Sequence, residues 1–324
     1  MKESRLLTII IVSFNTKNIL RECLNSVKKY TVGIESETFV VDNDSSDGSV
    51  EMVSKEFPEV KLIVNTENVG FAAGNNIALK KASGRHVLLL NSDVFLLPET
   101  IEKTVKFMDE NRNCGILGVK LLSEDGSIQP SARKLPSPWN KFLVISGLAS
   151  KFPKSRFFGS PDYSWWSHNE VREVGWVPGA YFLIRAELLK EIGLLDERYF
   201  MYFEEIDYCL QAIRAGWKVI FYPDGEVIHL RGQSSAATKK QITKTGKQLI
   251  GFRVKSEFRY YRKNFGVLSL FLSAGVEVFW KGLTLLKNIT KNDDYSKIKK
   301  EEAILILNNI IKTLLNDRLG RGAI

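Results

Sequence analysis

Four apolar residues in a row, Val87, Leu88, Leu89 and Leu90, run into Asn91-Ser92-Asp93, and this stretch constrains the fold more than any other. Four such residues without alternation leave no face for water, so they read as a strand buried on both sides, which favours a parallel sheet covered by helices. The run delivers one carboxylate, Asp93, to its end. Ligand crevices of open α/β sheets lie at the carboxyl ends of strands, so an acid there is placed to hold a cation or a substrate. Asn, Ser and Asp shortly before Pro98 are equally the residues of a plain turn.

The chain around it repeats the theme. Leu6–Ser13 reads as a buried strand, and Thr16–Tyr30 as a helix with Ile19, Leu20, Cys23, Leu24 and Val27 on one face. Thr38–Val41 is a second strand, stopped by the loop DNDSSDGS at 42–49; Val60–Val64 is a third. A helix is expected over Gly74–Ala82, and Pro98 begins another. Strand and helix alternating in this way predict a doubly wound, mostly parallel α/β sheet. Gly115–Leu122 is a further strand. Beyond it QPSARKLPSPW and FFGSPDYSWWSHN lack periodicity but are too rich in Trp and Phe for a disordered linker, so an ordered, substrate-facing excursion is expected. Regular structure resumes at Val171–Val177, with a helix over Glu204–Ala215 ended by Gly216 and two closing strands, Trp217–Tyr222 and Glu226–Leu230. From Gln241 onward the pattern is helical.

The net charge of +9 is uneven: residues 231–300 hold 16 Lys/Arg against 4 Asp/Glu, whereas residues 1–230 hold 27 against 30. A basic C-terminal region suits nucleic acid, an anionic membrane surface or a phosphorylated substrate, and charge does not choose among them. Cys23, Cys114 and Cys209 lack metal-ligand spacing and sit in apolar contexts, which predicts reduced core residues of a cytoplasmic protein. The N-terminal apolar run is too short and lacks the cleavage site of a signal peptide. No stretch offers about 18 uninterrupted apolar residues.

Four elements carry candidate chemistry: Asp42 and Asn43 after the second strand, Asp93 after the fourth, the acids Glu204, Glu205 and Asp207, and His229 in VIHLRGQSS. An acid and a histidine at one crevice are reasonable ligands for a hard divalent cation that also binds substrate phosphates, and a carboxylate set apart from them is available as a base. GFAAG lacks the spacing of a dinucleotide fingerprint.

Together, IVSFN, VVDNDSSDGS, NVGFAAGNN, LLLNSDV, VPGAYFLIR, MYFEEIDYCLQAIRAGW and HLRGQSS resemble a family 2 glycosyltransferase of the GT-A fold, and more narrowly its rhamnosyltransferase-like branch. The resemblance covers roughly residues 6–235. It implies that Phe14 lies against the nucleobase with Asp42 and Asn43 at its polar edge, and that Asn68, Gly70 and Asn76 line the nucleotide pocket. Asp93 takes the place of the last acid of the family's DxD element, with Asn91 at the earlier acidic position, and His229 that of a second ligand to Mg²⁺ or Mn²⁺. Glu205 stands where relatives carry an Asp as the presumed base, and Arg231 is a nearby cation for the departing diphosphate.

The resemblance thus implies an inverting, metal-dependent hexosyltransferase working on a nucleotide sugar, with dTDP-rhamnose as lead donor and a saccharide acceptor that is polyprenyl-diphosphate-linked in many relatives. The division expected is a catalytic domain over 1–235, with a nucleotide-sugar half to about 120 and an acceptor half after it, and a basic helical region over 236–324. That region packs as helices on the catalytic domain or forms a peripheral contact with an anionic membrane, at the inner face of the cell membrane. A nucleic-acid partner is not expected, because it leaves the acidic constellation without a role. A nucleotidyltransferase lacks its Gly-rich phosphate loop here, and a catalytically silent nucleotide-sugar-binding protein is the alternative that the Glu-for-Asp departure keeps open.

Overall fold

The structure, a computed structural model, describes residues 6–230 and 247–316. They form two compact units. The first, the sheet unit, comprises residues 6–134, 167–197 and 204–230; the second, the helical unit, comprises 135–166, 198–203 and 247–316. Residues 135–166 and 198–203, which the sequence places in the catalytic domain, thus cluster with the C-terminal helices.

The sheet unit is built on ten strands: β1 (Leu7–Ser13), β2 (Ser36–Asp42), β3 (Lys61–Val64), β4 (His86–Leu90), β5 (Val94–Leu96), β6 (Cys114–Leu122), β7 (Ile128–Gln129), β8 (Arg172–Glu173), β9 (Tyr181–Arg185) and β10 (Lys218–His229). Their order is β3-β2-β1-β4-β9-β6-β10-β5, with β7 beside β6 and β8 beside β10. The first four are parallel, as buried apolar strands joined by helices must be. β9 lies antiparallel between β4 and β6, β6 and β10 run parallel, and β5 returns antiparallel on β10. Its helices are α1 (Lys17–Tyr30), α2 (Ser49–Glu56), α3 (Gly70–Leu79), α4 (Thr100–Glu110), α7 (Ala186–Ile192) and α8 (Glu204–Arg214); α5 (Pro138–Ile145) and α6 (Leu148–Lys151) belong to the helical unit. Leu7, Ile9 and Ile11 of β1 and Leu88 and Leu90 of β4 form one core with Leu20, Cys23, Leu24 and Val27 of α1, while Ile10 and Leu89 are buried on the opposite face of the sheet. All three cysteines are free and buried.

The structure departs from the sequence pattern at three places that matter to the site. The two expected closing strands are one strand, β10, whose register on β6 jumps from Tyr222 opposite Val119 to Glu226 opposite Lys120. Gly225 sits in that bulge, where a Cβ would meet Val119 Cγ1 at 2.7 Å. Helix α3 begins at Gly70 and not Gly74, because the Asn68 side chain accepts the Gly70 N–H at 3.0 Å and closes the loop early. Directly after Asp93 the chain forms β5, which pairs Val94 with His229.

Opposite the carboxyl ends of the parallel strands, near the start of β2, Glu37 is buried. Its carboxylate accepts from Thr8 Oγ1 (2.8 Å), Ser83 N (2.9 Å) and Ser83 Oγ (2.7 Å) and is paired with Lys61. These donors outweigh burial and hold its pKa down at about 2.

In the helical unit, α9 (Lys247–Asn288) is broken at Gly266, whose φ of 82° and ψ of 177° are non-helical, and α10 (Asp294–Asn316) packs on it. Its interior holds an ion network: Lys141 pairs with Glu257 and Glu277, and Arg253 reaches Glu277 at 2.7 Å and Glu257 at 3.1 Å. Residues 198–203 pack on α9 by Phe200 stacked on Phe252 (4.5 Å) and Met201 O accepting from Ser256 Oγ (3.0 Å).

Candidate active site

The parallel strands end together at Ser13, Asp42, Val64 and Leu90, and loops stitched to one another follow them. Asn15, with a positive φ of 53°, accepts the Ser46 N–H at 2.8 Å and donates its own N–H to Ser45 Oγ at 2.8 Å, which ties the loop after β1 to the loop after β2. Phe14, partly buried, enters that join. Asp42 is buried; its Oδ1 accepts the Ser45 N–H at 2.8 Å, whereas Oδ2 has no hydrogen-bond partner among the described residues. Burial pushes its pKa up against the Ser45 hydrogen bonds. A buried acceptor of this kind at the strand ends suits an N–H of a ligand.

The neighbouring amides are committed inside the protein. Asn43 Nδ2 donates to Gly70 O (3.1 Å) and Asn68 Oδ1 (3.3 Å), and its Oδ1 accepts from Asn65 Nδ2 (2.8 Å). Asn43, Asn65, Asn68 and Gly70 are thereby one brace under the loop that opens α3. Asn76 is likewise saturated: its Nδ2 donates to Leu195 O (2.8 Å) and Glu197 Oε1 (2.9 Å), and its Oδ1 accepts the Leu195 N–H (3.1 Å). The side chains of Asn43 and Asn76 therefore brace the walls, and of the residues assigned to the nucleotide, Asp42 keeps the clearest outward chemistry.

Asp93 and His229 meet. The Leu230 N–H donates to Asp93 O at 3.0 Å, and the β5–β10 pairing sets His229 beside Val94, so backbone bonds fix the two residues as neighbours. His229 Nε2 lies 3.6 Å from Asp93 Oδ1, with both side chains largely buried. On the other side of the ring, Nδ1 is 2.9 Å from Gln129 Oε1. The Gln129 amide is orientated unambiguously, because its Nε2 donates to His229 O (2.8 Å) and Ser123 Oγ (3.2 Å). Oε1 is then an acceptor, Nδ1 carries a proton, and Nε2 is the ring nitrogen turned towards Asp93.

Those two atoms suit a divalent cation. A spacing of 3.6 Å exceeds a hydrogen bond. Two adjacent ligands on an octahedral cation at about 2.1 Å stand about 3 Å apart, close enough to be reached by small side-chain shifts. Among the described residues no three His, Cys, Asp or Glu side chains cluster, so a cation held here takes its other positions from substrate oxygens or water. Arg231 lies outside the described residues.

Glu205 occupies the first turn of α8, which the chain enters through Tyr202 and Phe203 at positive φ of 72° and 71°. Such backbone is costly for non-glycine residues and concentrates at functional sites. Burial pushes the Glu205 carboxyl up to about 7, against the N–H groups of Glu205 and Ile206 and the charge of Arg133, which hold it down. Glu204 beside it is raised further, by burial and by Glu205. Asp207 is buried on the same helix.

The start of the stretch expected to face substrate links two of these groups. Gln129 touches His229, and Arg133, four positions further along the chain, acts on Glu205, so the Cα atoms of Gln129 and Arg133 are at most about 15 Å apart. Arg133 is itself anchored by pairing with Trp176. The signal was the pair Gln129 and Arg133 in QPSAR, a few residues beyond a buried strand and inside a stretch without periodicity.

Comparison with known proteins bears on the family and the fold. The description "Glycosyl transferase family 2" fits residues 8–210. The chain is 27% identical over 244 residues to an N-acetylglucosaminyl-diphospho-decaprenol L-rhamnosyltransferase of Mycobacterium tuberculosis, covering 71% of this chain and 77% of the relative. It is 26% identical over 212 residues to a low-salt glycan biosynthesis hexosyltransferase of Haloferax volcanii, covering 64% of this chain and 62% of that one. Among solved structures, a mannosyltransferase of Pyrobaculum calidifontis in complex with GDP-Man and Mn²⁺ superposes with a TM-score of 0.55 at 15% identity, over 97% of this chain and 88% of that one. The chain belongs to glycosyl transferase family 2 and carries the GT-A fold.

Proposed function

We propose that this protein transfers a hexose from a nucleoside-diphosphate sugar to a hydroxyl of a saccharide acceptor with inversion at the anomeric carbon, and that Glu205 is the base. The observation that carries the reading is a carboxyl held near pH 7, joined through Gln129–Arg133 to the Asp93–His229 pair. A base is most effective when its pKa lies near the working pH. In the transfer, the acceptor oxygen bonds to the anomeric carbon as its proton passes to Glu205, and the bond to the diphosphate oxygen breaks with its electrons leaving on the nucleoside diphosphate. Asp93 and His229 would hold Mg²⁺ or Mn²⁺, which neutralises charge on that leaving group when bound. Asp42, with an unmatched acceptor, suits the imide N–H of a pyrimidine, and Phe14 its face.

The donor we assign is dTDP-rhamnose and the acceptor a polyprenyl-diphosphate-linked saccharide, in cell-surface polysaccharide assembly at the cytoplasmic face of the membrane. The name of the mycobacterial relative supports the rhamnosyl group and the polyprenyl-diphosphate-linked acceptor, and the pairing suited to a pyrimidine at Asp42 supports the nucleotide. The test is incubation with dTDP-rhamnose, Mn²⁺ and a lipid-linked saccharide, with the product anomer read by NMR. Glu205→Gln is expected to bind donor as well as the parent protein and to lose transfer by at least about a hundredfold. Near-normal turnover of Glu205→Gln removes the base assignment, and donor binding without transfer by the parent protein favours the silent binding protein.

A further inference from the structure

Beyond Gly266, the second half of α9 carries an apolar line that nothing in the described structure covers. Leu268, Phe271, Leu272, Phe279 and Leu286 recur three and four residues apart, with Gly275 and Gly282 between them, and so share one side of the helix. Leu268 is 74% exposed and Leu286 67%, and the line holds no charged residue for about 27 Å of helix. A soluble surface rarely presents so long an apolar strip, which marks a contact with another apolar phase.

The polar groups of the same helix lie on other sides. Glu277 is buried in the ion network with Lys141 and Arg253, which holds its pKa down at about 2. The helix is long and apolar enough by composition to cross a membrane. Crossing would carry that network into hydrocarbon, at a large cost in desolvation, whereas lying flat leaves it inside the protein.

What the strip meets is indicated by its flank. A cleft of about 760 Å³ opens beside it, lined by Trp280, Leu283, Lys287, Lys291 and Lys299, with Asp293 also at its wall. Lys281 there is paired with Glu302 at 3.0 Å, but no carboxylate lies within ion-pair distance of Lys287 or Lys291 among the described residues. Two copies pairing through the strip would bring these lysine rims together, and like charges oppose that. Lys299 pairs with Glu302 at 3.6 Å and Lys291 feels the charge of Asp293, but with Lys287 and Lys291 beyond ion-pair distance of any described carboxylate the strip is edged by cationic groups and is complementary instead to acyl chains edged by phosphates.

We propose that the helical unit docks on an anionic bilayer, with the 268–286 face of α9 in the boundary between headgroups and acyl chains and lipid phosphates at Lys287 and Lys291. The proposal is independent of the sugar chemistry, and its test does not use it. Flotation of the full chain with phosphatidylcholine vesicles, with and without phosphatidylglycerol, measures docking. Binding is expected with phosphatidylglycerol and at least about tenfold weaker without it. The double variant Leu272→Glu/Phe279→Glu and the double variant Lys287→Glu/Lys291→Glu are each expected to weaken it by about tenfold or more, with circular dichroism unchanged. The lysine pair lies at the surface and carries the test by itself if the strip variant fails to fold. Absence of flotation by the parent chain overturns the proposal, as does full binding by the lysine variant. A dimer in sedimentation equilibrium that the strip variant converts to monomer overturns it as well, by assigning the strip to a second copy.

Discussion

At the scale of single residues, the structure adds to Asp93 and His229 the group that orientates them. Gln129 cannot be turned over without facing its amide nitrogen against the His229 ring and its oxygen against the His229 carbonyl, so it fixes Nδ1 as the protonated atom. Groups that hold a ligand's far nitrogen typically change metal affinity by about 10–100-fold when removed. Gln129→Leu should therefore weaken Mn²⁺ binding in the presence of nucleoside diphosphate by about tenfold, measured by electron paramagnetic resonance. The ring ¹⁵N shifts of His229 should report a mixed tautomer in Gln129→Leu and a single one in Gln129→Glu, which retains the acceptor. Unchanged shifts in Gln129→Leu would show that Gln129 merely fills space. Asn43 and Asn76 illustrate the opposite case, since a side chain whose every donor and acceptor is matched within the protein braces a wall.

At the scale of elements, the sheet rests on a pin at the end away from the site. Glu37 gathers Thr8 of β1, Lys61 of β3 and Ser83 before β4, so one side chain of β2 ties three neighbours together. Its folded pKa of about 2 lies below the ordinary 4.5, so its contribution is present above pH 4.5 and is lost as pH falls through 2. Glu37→Gln should cost about 2–3 kcal/mol at pH 7 in urea unfolding, and the difference from the parent should shrink between pH 4.5 and 2. The same elements show what a sequence discloses. β1, β2 and β4 are legible because burial on both faces makes their residues uniformly apolar. Asp93 stands out as an acid at the end of a buried strand, whereas Glu205 lies in an acidic helix start that the macrodipole alone explains and is singled out by the resemblance. β7 is two residues long and has no period to read, so Gln129 stayed hidden in an aromatic-rich loop. The bulge in β10 and the early start of α3 depend on Gly225 meeting Val119 and on Asn68 turning back on Gly70, contacts made between elements or within a loop.

At the scale of the whole molecule, the buried acids divide into two groups with opposite pH dependence. Glu37 and Glu277 are held at about 2 by cations and hydrogen bonds, so they stabilise the fold throughout the neutral range. Glu205 is raised to about 7, and a raised acid contributes stability below its ordinary value of 4.5 that is lost as pH rises through 7. The ionised form that a base needs is thus the form the fold tolerates least. Two measurements should therefore move in opposite directions between pH 5 and 7 and level off above it: transfer should rise about tenfold per unit, while the thermal midpoint should decline. Glu205→Gln removes the titration, so its unfolding free energy should exceed that of the parent at pH 8 by about 1–3 kcal/mol, with a correspondingly higher midpoint, and converge with it near pH 4.5. Glu204 remains in the variant, but without a charged neighbour it loses one of the two influences that raise it. A parent midpoint that holds level from pH 5 to 8 while transfer rises would mean that Glu205 is ionised at no cost to the fold, and the rise would then belong to another group.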